Sequence, residues 1–257
     1  LIEVMKIELY KIIKSKQYIF LVVSLFLFII VALLFMFYNR DPNEINLFSL
    51  IYQVFAFNSD IFFPTVSIAF FSSIITKEFQ DKTIKMVIGS VYTRQNIIIG
   101  KFLASSIVFS VAFLITVLTA FFIAYLLPIS SIIYIDYEQL GTLNVFGRMM
   151  LITLSTLVFL ISFGSFAFLV ALIVRNQGLT MLIAIGLLMF YILIPSPDWL
   201  TDYIFIGKGV MFYTAFSFLE IPYLEAIKTV LVCILYLLTF IICSTIFFNR
   251  FELKDGS

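Results

Sequence analysis

Long apolar runs separated by short polar clusters set the pattern of this chain, and the runs share one scale. A helix rises about 1.5 Å per residue, so crossing a hydrocarbon core of about 30 Å takes about 20 mostly apolar residues. Six stretches meet or approach that length, at 17–38, 53–76, 102–127, 148–174, 179–194 and 226–248. Asp60 and Pro64 interrupt the second of them. The first is too long for a signal-peptide core and lacks a small-residue cleavage site, so it reads as a span. The pattern predicts an all-α integral membrane protein with six transmembrane helices.

Three mixed segments depart from it. Over residues 1–16, Leu1, Ile2, Met5, Leu9, Ile12 and Ile13 share one arc of a helical wheel, while Glu3, Lys6, Glu8, Lys11 and Lys14 fall mainly on the other. An interfacial helix with its lysines at the headgroups is expected there, a basic flank that only sets orientation being the alternative. Residues 77–95 mix both charge signs with Phe79, Ile84, Val87 and Ile88, then pass through Gly89-Ser90 to a second basic cluster. A plain joining loop is usually shorter, so a cytoplasmic amphipathic helix offered to a soluble partner is expected between spans 2 and 3. A solvated helix extension is the other reading. Between Pro195 and Glu225, the apolar pieces 203–206 and 210–219 are interrupted by Gly207-Lys208-Gly209. Such pieces are too short to cross and suit re-entrant helices of the outer leaflet, with Trp199, Tyr203, Tyr213 and Tyr223 at the interface. An ordinary outer loop competes with that reading.

Charge fixes the orientation of this layout. Apolar residues make up 63% of the chain and charged ones 12%, against about 45–50% and about 25% in soluble domains. With 16 basic and 15 acidic residues, no strongly basic surface exists for nucleic acid. An N-terminus inside puts twelve basic residues on the cytoplasmic side and leaves Arg40, Arg148, Lys208 and Lys228 outside. The acids divide six inside and nine outside, so the two sides sum to +6 and −5. Both termini are therefore expected in the cytoplasm. No repeat or linker marks a second domain, so residues 1–257 form one membrane domain.

The chemistry a chain of this composition can perform is narrow. Histidine is absent, which removes imidazole catalysis and histidine-ligated metals or haem. Cys233 and Cys243 lie ten residues apart in one helix, about 15 Å, too far for a disulfide. Gly100-Lys101 is followed by Phe102 and Gly207-Lys208 by Gly209, so no phosphate-binding loop is formed. The chain is expected to be no enzyme and to need no cofactor or metal of its own. Asp60 draws attention as an ionisable residue in an apolar run. It stands sixteen residues before Thr76, about 24 Å at helical rise and so toward the outer leaflet. With Asn58, Ser59 and Pro64 it either lines an outward-opening cavity or sits at a frayed outer end of the span. Glu220 and Glu225 raise the same question, with Arg148 as a candidate partner. The hydroxyl and small residues of spans 3 and 4 suit helix packing.

The layout resembles the membrane subunit of a type-2 ATP-binding-cassette exporter, a permease with six spans and a separate ATPase chain. The local signature of that family is a Glu, a Gly-Thr, an Arg and then a Gly-Lys opening the third span. Glu78, Thr83, Arg94, Gly100 and Lys101 fit it, with Lys82 in place of the usual Gly and no Pro near Ser90. The resemblance implies that residues 77–95 are the coupling helix, with Lys77, Glu78, Phe79, Asp81, Thr83, Ile84 and Arg94 meeting an ABC-type ATPase that carries the ATP and Mg. It implies a second permease subunit, identical or not, and a substrate path for which Asp60, Pro64, Arg148 and Glu220 are candidates. A chain this short, without a large outer domain, looks like the permeases of antimicrobial-peptide immunity and phenol-soluble-modulin export. Its 32 Phe and 13 Tyr suit an apolar path for an amphipathic peptide, or equally lipid contact. The richness in Ile, Lys, Phe and Tyr points to a bacterial source of low GC content and a plasma-membrane location. The competing classes are a secondary transporter or channel, which calls for mid-membrane charge or internal symmetry, and a membrane anchor without transport.

Overall fold

A computed structural model describes residues 1–39, 47–81, 92–126, 141–193, 204–210, 212 and 223–250. These residues build α1 (Ile2–Ile13), α2 (Lys16–Asn39), α3 (Leu47–Asn58), α4 (Phe62–Gln80), α5 (Arg94–Leu126), α6 (Gly141–Val174), α7 (Gln177–Leu193), α8 (Phe205–Val210) and α9 (Tyr223–Asn249). Helix is the form that satisfies backbone groups within one segment when lipid offers no partner. The hydroxyl residues fit because they bond back to their own helix. Ser105 Oγ donates to the Lys101 carbonyl at 2.8 Å, Thr153 Oγ1 to Met149 at 2.8 Å and Ser244 Oγ to Phe240 at 2.7 Å. Ser67 instead reaches another helix at the Leu160 carbonyl, and Ser162 bonds back to Val158 and also reaches the Cys233 carbonyl.

Four helices, α2, α5, α6 and α9, contain stretches long and apolar enough to cross a membrane. At 17 residues α7 is shorter. The expected second span is two helices, α3 and α4, separated by Ser59, Asp60 and Ile61. Pro64 explains the break: in a continuous helix its ring would meet the Asp60 carbonyl and it has no N–H to donate there, whereas the first turn of α4 tolerates it. α5 starts at Arg94, eight residues before the expected position, with the Thr93 hydroxyl accepting from Asn96 N at 3.4 Å across its first turn. The glycines of Gly207-Lys208-Gly209 do not interrupt a helix as expected; α8 runs through them. A side-chain carbon at Gly207 would overlap the Tyr191 hydroxyl at 1.9 Å, and one at Gly209 the Phe159 ring at 2.0 Å. Here glycine permits close seating on α7 and α6. Both cysteines are free, as their spacing requires.

The core centres on α6. In its apolar stretch 67% of residues are buried, against 11% for α9, which presents most of its surface outward. α4 runs parallel to α6, with Ser67 bonded to Leu160 and Phe71 lying on Gly164. α9 is parallel to α6 too, through Ser162 with Cys233 and Phe166 with Phe240. Phenyl rings fill the space between α3, α4, α5 and α6: Phe63–Phe113, Phe71–Phe109, Phe71–Phe102 and Phe102–Phe168 have centroids 5.2 to 5.7 Å apart.

Candidate functional site

The buried stripe of α1 is Val4, Glu8 and Ile12, spaced four apart on one face. Of the apolar arc of the wheel, Ile12 is covered by protein while Ile2 and Ile13 are exposed, and from the polar arc the acidic Glu8 is covered. Position 100 is the reason α1 can lie so close. A side-chain carbon there would stand 2.8 Å from Val4 Cγ1, so glycine lets α1 rest against the start of α5. The next residue, Lys101, is 1% exposed and extends beneath α1.

Four charged side chains from three helices meet at this corner. Lys101 Nζ lies 2.7 Å from Glu8 Oε1 on α1 and 2.5 Å from Glu78 Oε1 near the end of α4. Lys11 of α1 also donates to Glu78 Oε1, and it stands 3.9 Å from Glu8 Oε2. Two ammonium groups and two carboxylates neutralise one another, which is the condition under which charges withstand burial. Burial pushes the Glu78 carboxyl up, but Lys101 and Lys11 outweigh it and hold it below the usual carboxylate range. Burial likewise pulls Lys11 down, and its bond to Glu78 with the charges of Glu78 and Glu8 holds it above the usual lysine range. Beside the cluster, Tyr92 donates to Glu3 Oε2 at 3.1 Å, and that bond raises the phenol.

The other expected coupling residues surround this corner. Lys77 and Asp81 are exposed at the end of α4. Phe79 is half-buried, with the Arg175 guanidinium carbon 5.6 Å from its ring centre. Arg175 adopts a left-handed φ of 57° in the tight turn from α6 to α7, where Asn176 Oδ1 accepts from Leu179 N at 3.2 Å. Arg94 donates to the Asn249 carbonyl at 3.1 Å, placing a cation on the carbonyl end of α9. Thr83 and Ile84 lie outside the described residues. The corner therefore joins α1, α4 and α5, with the α6–α7 turn and the end of α9 alongside. Glu78 thus ties the end of α4 to both α1 and α5.

Farther along α4, Pro64 is buried in its first turn and Asp60 is half-buried in the break before it. Arg148 is buried on α6. Glu220 lies outside the described residues, and Glu225 is bonded to Lys228 of its own helix at 2.7 Å. Sequence reasoning did not bring Glu8, Lys11 and Lys101 to the site. Lys101 carried a signal, as a lone charge inside an apolar run directly after a glycine. Glu8 carried a weaker one, sharing the four-residue spacing of Val4 and Ile12.

Residues 2–198 match the family described as ABC-2 family transporter protein. No curated protein matches the chain.

Proposed function

Because the chain belongs to the ABC-2 family of transporter proteins, a family of multi-pass membrane subunits, we propose that it is the transmembrane subunit of an ATP-driven exporter. Its cargo in this reading is a hydrophobic or amphipathic peptide, a toxin or an antimicrobial peptide, carried out of a bacterial cell across the plasma membrane. ATP and Mg act on a separate ABC-type ATPase. A second permease subunit, identical or not, completes the path. α2, the broken pair α3–α4, α5, α6, α7 and α9 are the six passes, with α8 in the outer re-entrant segment and both termini in the cytoplasm. The parallel course of α4, α6 and α9 supports this arrangement, since the second, fourth and sixth passes of one chain run the same way.

The observation that carries the proposal is the neutral ionic corner of Glu8, Lys11, Glu78 and Lys101. An exporter without its own ATP site needs a rigid place to receive the ATPase stroke. The end of α4, the segment after it and the start of α5 receive it, through Lys77, Phe79, Asp81, Thr83, Ile84 and Arg94, and Glu78 passes it into α1 and α5. Asp60, Pro64, Arg148 and Glu220 belong to the substrate path.

The test is to purify the chain from cells expressing its neighbouring genes and to measure ATP hydrolysis in proteoliposomes with and without amphipathic helical peptides. Co-purification of an ATPase and stimulation by peptide are expected. Isolation without any ATPase overturns the proposal.

A further inference from the structure

The end of α3 and the break after it hold three consecutive polar residues, Asn58, Ser59 and Asp60, between apolar neighbours. Asn58 and Ser59 are 0% and 2% exposed, and Asp60 is half-buried. Asn58 Nδ2 donates to the Val54 carbonyl at 2.8 Å, which identifies Oδ1 as the open end of its amide. That Oδ1, the Ser59 Oγ and the Asp60 Oδ1 are all buried and have no hydrogen-bond partner among the described residues. One such orphan is costly, and the cost rises away from bulk water. Three on successive residues mark a place suited to a partner that the described residues do not supply.

The chemistry of that partner follows from the atoms. Two of the three groups can only accept, and the third can accept as well, so the partner must donate. The carbonyl end of α3 and the N–H end of α4 both open on the break, and their dipoles oppose; the side-chain oxygens, one of them on a carboxyl group, therefore set the preference for positive charge. Rings neighbour these residues in sequence on both sides, at Phe57, Phe62 and Phe63. Phe62 lies 4.6 Å from Phe28 and 5.6 Å from Phe57, and Phe63 lies 5.2 Å from Phe113 and 6.1 Å from Phe55. Aromatic faces attract cations and keep water away.

We propose that the Asn58–Ser59–Asp60 break is a binding site for a primary ammonium group. Such a group carries N–H donors alone, the complement of these orphaned oxygens. Its source is either an amine of the exported molecule or the amine of a lipid headgroup. The first source rests on the exporter reading; the binding itself does not.

Thermal unfolding of the full chain in phosphatidylglycerol nanodiscs, titrated with decylammonium chloride, tests the site. Saturable stabilisation by decylammonium is expected, with none from decanol or from sodium chloride at equal concentration. Asp60→Asn and Asn58→Leu should each weaken decylammonium binding about tenfold or more, the loss expected for one hydrogen bond to a charged group. Glu225→Gln, which alters an exposed outer acid, should leave it unchanged. If phosphatidylethanolamine discs compete, the site stands and the lipid is its source; if they do not, the site stands and the exported amine is. Equal stabilisation by decanol, the whole shift from sodium alone, or wild-type affinity in both variants overturns the site and leaves water there. Decylammonium binding without any effect on ATP hydrolysis keeps the site while removing its role with cargo. Peptide-stimulated hydrolysis without decylammonium binding removes the site and keeps the exporter.

Discussion

Lys101 shows how one residue can look unremarkable in sequence and govern a corner in space. As a charge next to a glycine it was legible as a motif position, but its partners stand 93 and 23 residues away, and no periodicity links them. Once buried it must be matched, and Glu8 and Glu78 match it. Replacing Lys101 by Met leaves those two covered carboxylates facing each other with only the partly exposed Lys11 nearby. A loss of about 3–5 kcal/mol is expected, as for other buried pairs with one partner removed, and thermal unfolding in detergent measures it. The triple variant Glu8→Gln, Glu78→Gln, Lys101→Met should recover most of the loss, because the one charge left, Lys11, has a side chain 53% exposed to solvent. Protonation tests the same corner. The folded Glu78 carboxyl is held low, so its contribution is complete above the ordinary carboxylate value of about 4.3 and is lost as pH falls through the lowered folded value. Unfolding midpoints should therefore drop more steeply in acid for the wild type than for Glu78→Gln. Lys11, held high, contributes until pH rises through its folded value, so no loss is expected near neutrality.

Among the elements, helix existence was legible and helix boundaries were not. Apolar length located α2, α5, α6 and α9, the four helices long and apolar enough to cross a membrane, because a lipid-facing run must reach about 20 residues whatever its neighbours. It placed the start of α5 late, since Arg94 and Lys101 are polar yet belong to the helix, one on the carbonyl end of α9 and the other under α1. The wheel for α1 did not single out Glu8, because its burial rests on an ion pair with Lys101 that lies beyond local periodicity. Gly207 and Gly209 were read as helix breakers because their role, seating α8 on Tyr191 and Phe159, is tertiary. Close approach at Gly100 gives a prediction at this scale. Gly100→Ala should loosen α1, seen as faster hydrogen exchange over Ile2–Ile13, and Val4→Ala in the same chain should restore much of the protection. Faster exchange confined to α5 would instead place the strain there.

The whole molecule is a set of helices gathered on α6, with a neutral ionic corner at one end and a broken span toward the other. The family was legible in the layout and in Glu78, Gly100 and Lys101, and residues 2–198 match it. That these three residues meet at α1 was not, since nothing local says where a surface helix rests. The abundance of Phe was read as path or lipid contact, whereas much of it is core: Phe55, Phe63, Phe70, Phe71, Phe109, Phe113, Phe159, Phe163 and Phe168 are all but fully covered. The central claim is that an ATPase docks at the end of α4. A photo-crosslinking residue at Lys77 or Asp81, both exposed there, tests it most directly in membranes of cells expressing the neighbouring genes. Capture of an ABC-type ATPase from these positions, and not from Glu225 near the start of α9, is the result this account predicts. Equal capture from Glu225, or no ATPase from either position on α4, would contradict it.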